Sequence, residues 1–446
     1  MLLLISIFII IFLFAGMVGL VGKLAPSGDL PTKFVTLALC ISMISYAYWL
    51  GLVFNLGFNL TLLIIFSVGV LSYLSTSGFS LKINVNEFIP ESKTAFAVSV
   101  AILFLTLHFN KYVYRWGDWD AWAIWNLHAK FLFDANHWRN MFTENMAITH
   151  PDYPLMLPTL IAFFWKSTGN ISPIAPIILA YFIFLAVPLT TFKALHTEKR
   201  PVSAFIVLLI FLADPKYLSI AGSQYADTLV GFFILISFII YHNAKEFPDS
   251  GLFYLLGYVA AATTWIKNEG LLFYVAFTFS FFCFHYRQPS SILKYLSGSV
   301  LPIIILVSFK LFFAPANDLI HGERGEDLFM LLIQPERYLL IFKYFLQTIF
   351  SWYWIAVVLL VCIVINGKYS FRSFPTMVIV TVICGYFAVY LTTPHDLEWH
   401  LGASIDRVLH HIYPATLYLL LKNLTESGFR RNVLNFGSSR DQKING

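Results

Sequence analysis

Charge is scarce in this sequence. Only 12% of its 446 residues are Asp, Glu, Lys or Arg, about half the share of a soluble domain. Hydrophobic residues make up 58%, with 45 Phe, 23 Tyr and 11 Trp. Mean hydropathy is +0.73. A soluble fold of this size could not hide so much apolar surface behind so few charges. The shortage excludes a cytosolic enzyme, a secreted disulfide scaffold and a disordered chain. Cysteine is scarce too. Cys40, Cys283, Cys362 and Cys384 lie in apolar runs without a CxxC, and they read as small buried hydrophobes. Internal repeats, low-complexity segments and a long basic cluster are all missing, so the net charge of +5 does not point to nucleic acid. What remains is an integral membrane protein whose apolar surface faces lipid.

What is present is a series of apolar runs, about thirteen of them near bilayer-spanning length. Their limits are close to 2–22, 34–55, 57–78, 94–110, 171–192, 203–219, 223–242, 251–266, 270–286, 296–314, 344–366, 374–391 and 405–422. Such continuous runs lack the alternation of an outer-membrane barrel, and helices satisfy their own backbone hydrogen bonds in hydrocarbon. The first run has no basic flank and no small-residue cleavage site, so it is expected to be retained. When the Asp-rich segment after Tyr114 is placed outside, basic residues exceed acidic ones in the inner loops and the reverse holds outside. That orientation puts the N-terminus outside and the polar tail inside.

Three polar segments interrupt the short loops: 111–170, 315–343 and 392–404. All fall on the outer side, which marks that face as the working one. In the first, residues 119–133 are expected to form a short amphipathic helix with Trp122, Trp125, Ala129 and Leu132 as its apolar stripe. Its Trp content suits the headgroup layer. Asp118 and Asp120 stand at its start. Two readings stay open there: a general base at the water–lipid boundary, or a helix cap plus a solvated charge. The sequence HPDYP follows. It leads into an apolar run too short to span, which is expected to be a juxtamembrane or re-entrant helix packed on protein. Asp152 is either a second acidic group over the site or a turn cap.

Ionisable groups at membrane depth face a polar cavity or a partner. Asp227 starts span seven, Asp214 ends span six, and Lys267 and Glu269 sit where spans eight and nine meet. Each is a ligand contact or a structural ion pair. The third segment gathers His395, Asp396, Glu398, His400, Asp406, Arg407, His410 and His411. Arg407 at the lip of the last span suits a phosphate, against the plainer reading of a snorkelling side chain. Nothing there has zinc-motif spacing.

The stretches GDWDAWAIWNLHAKFLF, HPDYPLMLP, SQYAD, WIKNEG and TPHDLEWH…SIDR resemble the GT-C superfamily of multi-pass glycosyltransferases. The resemblance is to the bacterial branch related to protein O-mannosyltransferases and lipid A aminoarabinose transferases, and covers roughly residues 111–415. It implies an all-α polytopic membrane protein, a GT-C-like bundle of about twelve or thirteen transmembrane helices with juxtamembrane helices in the first large outer loop. Residues 1–92 would be additional N-terminal helices, 93–422 the catalytic module and 423–446 a cytoplasmic tail.

The implied reaction is a single inverting displacement at the periplasmic face of a bacterial inner membrane. Asp120, with Asp118 close behind, would deprotonate the acceptor hydroxyl. HPDYP stands where relatives carry a Lys-Pro-Pro-Leu-like segment, and it has no lysine. Arg407 and Lys267 are the candidate replacements at the donor phosphate, with Glu269, His400, Asp152, Asp227 and Asp396 as further substrate contacts. The implied partners are a polyprenyl-phosphate-linked sugar donor, a glycan, lipid or protein acceptor, and membrane lipids. No cofactor is required by this scheme, and a divalent metal is not indicated. The alternatives are a sugar-lipid transporter or flippase, a polysaccharide polymerase or ligase, and a non-enzymatic scaffold.

Overall fold

Long apolar runs with few charges become helices, and the computed structural model describes them over residues 1–25, 30–76, 92–316, 328–365 and 372–424. Among these residues there are helices and no strands. The chain is an all-α polytopic membrane protein. Among the described residues, eight helices are long and apolar enough to cross a membrane: α1 (Leu2–Leu24), α2 (Thr32–Val53), α3 (Phe58–Ser75), α4 (Ser92–Tyr112), α7 (Ile174–Thr197), α10 (Asp227–Glu246), α13 (Pro289–Phe312) and α17 (Phe374–Leu391). Between α4 and α7 lie the short α5 (Asn126–Phe133) and α6 (Met156–Thr168). The remainder are α8 (Pro201–Ala213), α9 (Pro215–Gly222), α11 (Leu252–Ala262), α12 (Asn268–His285), α14 (Leu328–Leu332), α15 (Pro335–Trp352), α16 (Trp354–Ile365) and α18 (Leu397–Asn423).

Two expected spans are not straight. The run at 203–219 bends by 68° between α8 and α9. The cause is local: Pro215 cannot continue α8, and the Asp214 carboxylate restarts the helix by accepting the Lys216 and Tyr217 N–H groups at 2.9 and 3.0 Å. The run at 344–366 bends by 87° at Tyr353, whose hydroxyl donates to the Asp406 carbonyl at 2.8 Å. The last expected span, 405–422, is the inner part of a longer helix. Residues 397–404 form its first turns rather than a loop, begun by Asp396 accepting the Trp399 N–H at 2.8 Å. Much of the segment 315–343, with Asp318, His321, Glu323, Arg324, Glu326 and Asp327, lies outside the described residues, as does the tail after Leu424.

Of the eight spans, α10 is the most enclosed, with 94% of its apolar stretch buried. It crosses α18 at Gly231, where an added Cβ would come within 3.4 Å of the His411 carbonyl and 3.5 Å of the His410 carbonyl. That close approach brings two helix faces together, with Asp227 one turn before Gly231 and Arg407 one turn before His411. The N-terminal helices are not all peripheral. α2 is packed into the body, with Ser45 hydrogen-bonded to Thr159, Tyr48 to the Leu132 carbonyl and Ser42 to Tyr258. α1 lies against α3, where Gly16 faces the Gly69 carbonyl. Cys40 is buried as expected, but Cys283 and Cys384 are exposed on the outside of the bundle. A thiol is apolar enough to face lipid as well as core.

The helix ends sort into two groups. Lys310 reaches Asp152, Arg337 reaches the Leu391 carbonyl, and Trp49 packs on Trp138 and Phe313 at one end. At the other, Lys23 meets the Ser75 carbonyl, Arg200 the Leu424 carbonyl and Lys422 the Glu198 carboxylate. The described parts of all three polar segments belong to the first end.

Candidate functional site

The segment after α4 is fixed by its backbone. Gly117 adopts φ +77°, and an added Cβ there would lie 2.2 Å from Ala121 Cβ and 2.7 Å from the Ser223 carbonyl. Glycine is therefore required at this turn. The Asp118 N–H donates to the Ser223 carbonyl at 3.1 Å, and the Gln224 amide donates to the Tyr114 carbonyl at 2.5 Å. This clip holds residues 114–118 against the start of α10. Helix then begins with a π turn, Ala121–Trp125, closed by the Asn126 N–H on the Ala121 carbonyl. The wider turn rotates the expected stripe. Trp125, Ala129 and Leu132 are buried, but Trp122 is exposed, beside exposed Trp119. π turns of this kind recur at functional sites.

Asp118 and Asp120 part company here. Asp118 is exposed, and its carboxylate accepts the Trp119 N–H at 2.8 Å, so it serves the turn. Asp120 points into the bundle and meets Arg407 at 2.5 Å. The same Nη2 nitrogen of Arg407 lies 3.5 Å from Asp227, and the guanidinium plane covers the Tyr225 ring at 4.7 Å. Asp227 also receives Lys267 at 3.0 Å and His411 at 2.7 Å. Lys267 completes the chain with Glu269 at 2.8 Å. Three carboxylates therefore share two cations and an imidazole. Burial grades across this cluster: Asp227 is 0% exposed and Lys267 3%, whereas Asp120 and Arg407 are 16% and Glu269 23% exposed. Asp227 is an internal anchor, and Asp120, Arg407 and Glu269 form the accessible rim.

Lys267 reaches inward because the chain is extended there (φ −160°), between a 3-10 turn at 263–265 and α12. Thr263 hydroxyl ties the break by donating to the Gly270 carbonyl at 2.9 Å. The next residue, Asn268, donates to Asp152 at 2.9 Å and accepts from Lys310 at 3.0 Å. Asp152 thus belongs to an adjoining polar patch with Lys310. The helix that follows it, α6, is embedded between α2 and α5, ten of its thirteen residues being buried. It is packed against protein, as an apolar run too short to span requires.

Two expected contacts lie apart from the cluster. Asp396 is the exposed cap of α18. His400 bonds Thr393 at 2.9 Å and packs on Tyr390, two turns before Arg407, roughly 10 Å along the axis. His411 and Lys310 are members that the sequence reading did not select. His411 carried one usable signal, its position four residues after Arg407. Lys310 carried only its place as a lone lysine at the end of an apolar run. Burial and nearby Asp120 and Asp118 raise the Tyr225 hydroxyl above the ordinary tyrosine range, so it stays a neutral donor. Among the described residues no three His, Cys, Asp or Glu side chains gather as a metal site. Comparison with protein-family models, curated proteins and solved structures finds no match for this chain.

The chemistry open to this arrangement is specific. A carboxylate at the rim is held by a guanidinium that could instead bind a phosphate. Behind it, Asp227 holds the guanidinium and is itself held by Lys267 and His411.

Proposed function

We propose that the chain is an inverting glycosyltransferase of GT-C type that moves a sugar from a polyprenyl-phosphate donor to a hydroxyl of an envelope glycan, lipid or protein. The observation that carries this reading is the Asp120–Arg407 pair at the rim of the polar cluster. A donor phosphate is the stronger partner for a planar guanidinium. On its arrival Arg407 turns from Asp120 to phosphate, and the freed carboxylate becomes a base. Asp120 takes the acceptor proton, the acceptor oxygen bonds to the anomeric carbon, and the bond from that carbon to the phosphate oxygen breaks. Polyprenyl phosphate leaves with its charge offset by Arg407 and by Lys267 behind it. One displacement inverts the anomeric centre. The lipid tail remains in hydrocarbon while its phosphate stands at the rim.

The opposite end of the bundle carries Lys199, Arg200, Arg287, Lys294 and Lys422, which supports a cytoplasmic placement for it and a periplasmic one for the cluster. A transporter would call for polar groups along the whole crossing path. The gathering of Asp120, Asp152, Lys267, Glu269 and Arg407 near one end favours the transferase. The test is to supply polyprenyl-phosphate sugars to the purified protein and follow release of polyprenyl phosphate. Release by wild type and its loss in Asp120→Asn is expected. Equal release by both removes Asp120 from the base role, and no release with any donor overturns the assignment.

A further inference from the structure

A second site, unrelated to the carboxylate cluster, lies at the other end of the bundle. A cavity of about 490 Å³ opens there between α10, α12, α17 and α18, within the size range of small-ligand sites. Its polar lining includes Lys245, Arg372, His242 and His285, with no Asp or Glu. In the carboxylate cluster each cation faces a carboxylate. Here, among the described residues, Lys245 and Arg372 have no carboxylate partner, and both are exposed. The Nε2 atom of His242, closed to solvent, also has no hydrogen-bond partner. The N-terminus of α17 meets the same space through Ser373 and Phe374, and its aligned peptide dipoles add positive potential.

We infer that this cavity binds the phosphodiester of an anionic membrane lipid. Its polar groups want one compact anion, and a basic pocket between helices at headgroup depth is suited to a lipid phosphate. The lip is apolar: Phe284, which lines the cavity, is 41% exposed, and Tyr286, two residues on, is 65% exposed. That surface offers acyl chains a place beside the headgroup. A free phosphate would use the same cations without that lip.

The experiment measures lipid retained by the detergent-purified full chain, by native mass spectrometry, after addition of phosphatidylglycerol or phosphatidylcholine. Two cations facing the headgroup should favour the anionic lipid about thirtyfold. Lys245→Gln with Arg372→Gln should abolish that preference, and Lys245→Arg with Arg372→Lys should keep it. Equal retention of the two lipids, or an unchanged preference in the Gln variant, overturns the proposal. Displacement of the lipid by equimolar inorganic phosphate assigns the cavity to a soluble anion and also overturns it. Release of polyprenyl phosphate plays no part in this readout, so this site and the transferase reading stand or fall separately.

Discussion

Arg407 lies 2.5 Å from Asp120 although 287 residues separate them in the chain. The carboxylate proposed as base is therefore engaged at rest, and the same guanidinium reaches back to Asp227 at 3.5 Å. In the proposed reaction, donor binding and base release would be one event. Arg407→Lys keeps the charge but loses the planar guanidinium, whose Nη2 reaches both carboxylates and whose plane lies over Tyr225. It should raise the donor KM as well as lower kcat. Asp120→Asn should lower kcat by about 10²–10⁴-fold and lower donor KM, because the carboxylate that competes with phosphate for Arg407 is gone. Steady-state release of polyprenyl phosphate separates the two patterns, and identical patterns would deny the division of labour.

Asp227 should matter to stability more than Asp120 does. It is fully buried and holds Lys267, His411 and Arg407 at once. Asp227→Asn strands buried cations, a loss of about 3–5 kcal/mol. Asp120 sits at the rim, where water can replace it. Thermal unfolding in detergent should show a clearly lower midpoint for Asp227→Asn than for Asp120→Asn. Equal midpoints would remove the anchor role.

Gly117→Ala tests the turn. The substitution places a methyl 2.2 Å from Ala121 Cβ at a backbone angle that alanine avoids. Both the melting midpoint and donor turnover should fall, since Asp120 is positioned by this turn. Adding Ala121→Gly removes one of the two clashes and should restore part of each. The Ser223 carbonyl, 2.7 Å away, blocks full recovery. No recovery in the double variant would locate the fault elsewhere.

His128 gives a signed pH effect. It is buried in the polar segment after α4, with Nε2 near the Thr149 hydroxyl at 3.2 Å. Burial, reinforced by His150, pushes it down to about 3, whereas an unfolded histidine titrates near ~6.5. Between those values the unfolded chain binds a proton that the folded chain refuses. Stability from this group is present above about pH 6.5 and falls by about 1.4 kcal/mol per unit below it. Unfolding midpoints from pH 7 to 4 should fall less steeply in His128→Gln than in wild type. Parallel slopes would rule the residue out.

The sequence alone determined the helical membrane class, because scarce charge and long apolar runs admit no other solution for the backbone in hydrocarbon. It also marked the break at Lys267-Asn268-Glu269-Gly270, the short helix after HPDYP and the concentration of polar groups in particular segments, since those are local properties of composition and spacing. Composition and spacing did not separate Asp118 from Asp120, and only the resemblance put Asp120 first. Two residues apart, they differ in where the turn at Gly117, clipped to the Ser223 carbonyl through the Asp118 N–H, leaves each side chain. The bends at Asp214 and Tyr353 were likewise hidden inside runs that read as continuous. Lys310 and His411 joined their clusters only through the packing of distant helices. Tertiary structure decided the partners, because an ion pair depends on which helix faces meet, and the approach of α10 to α18 at Gly231 is written in neither segment by itself.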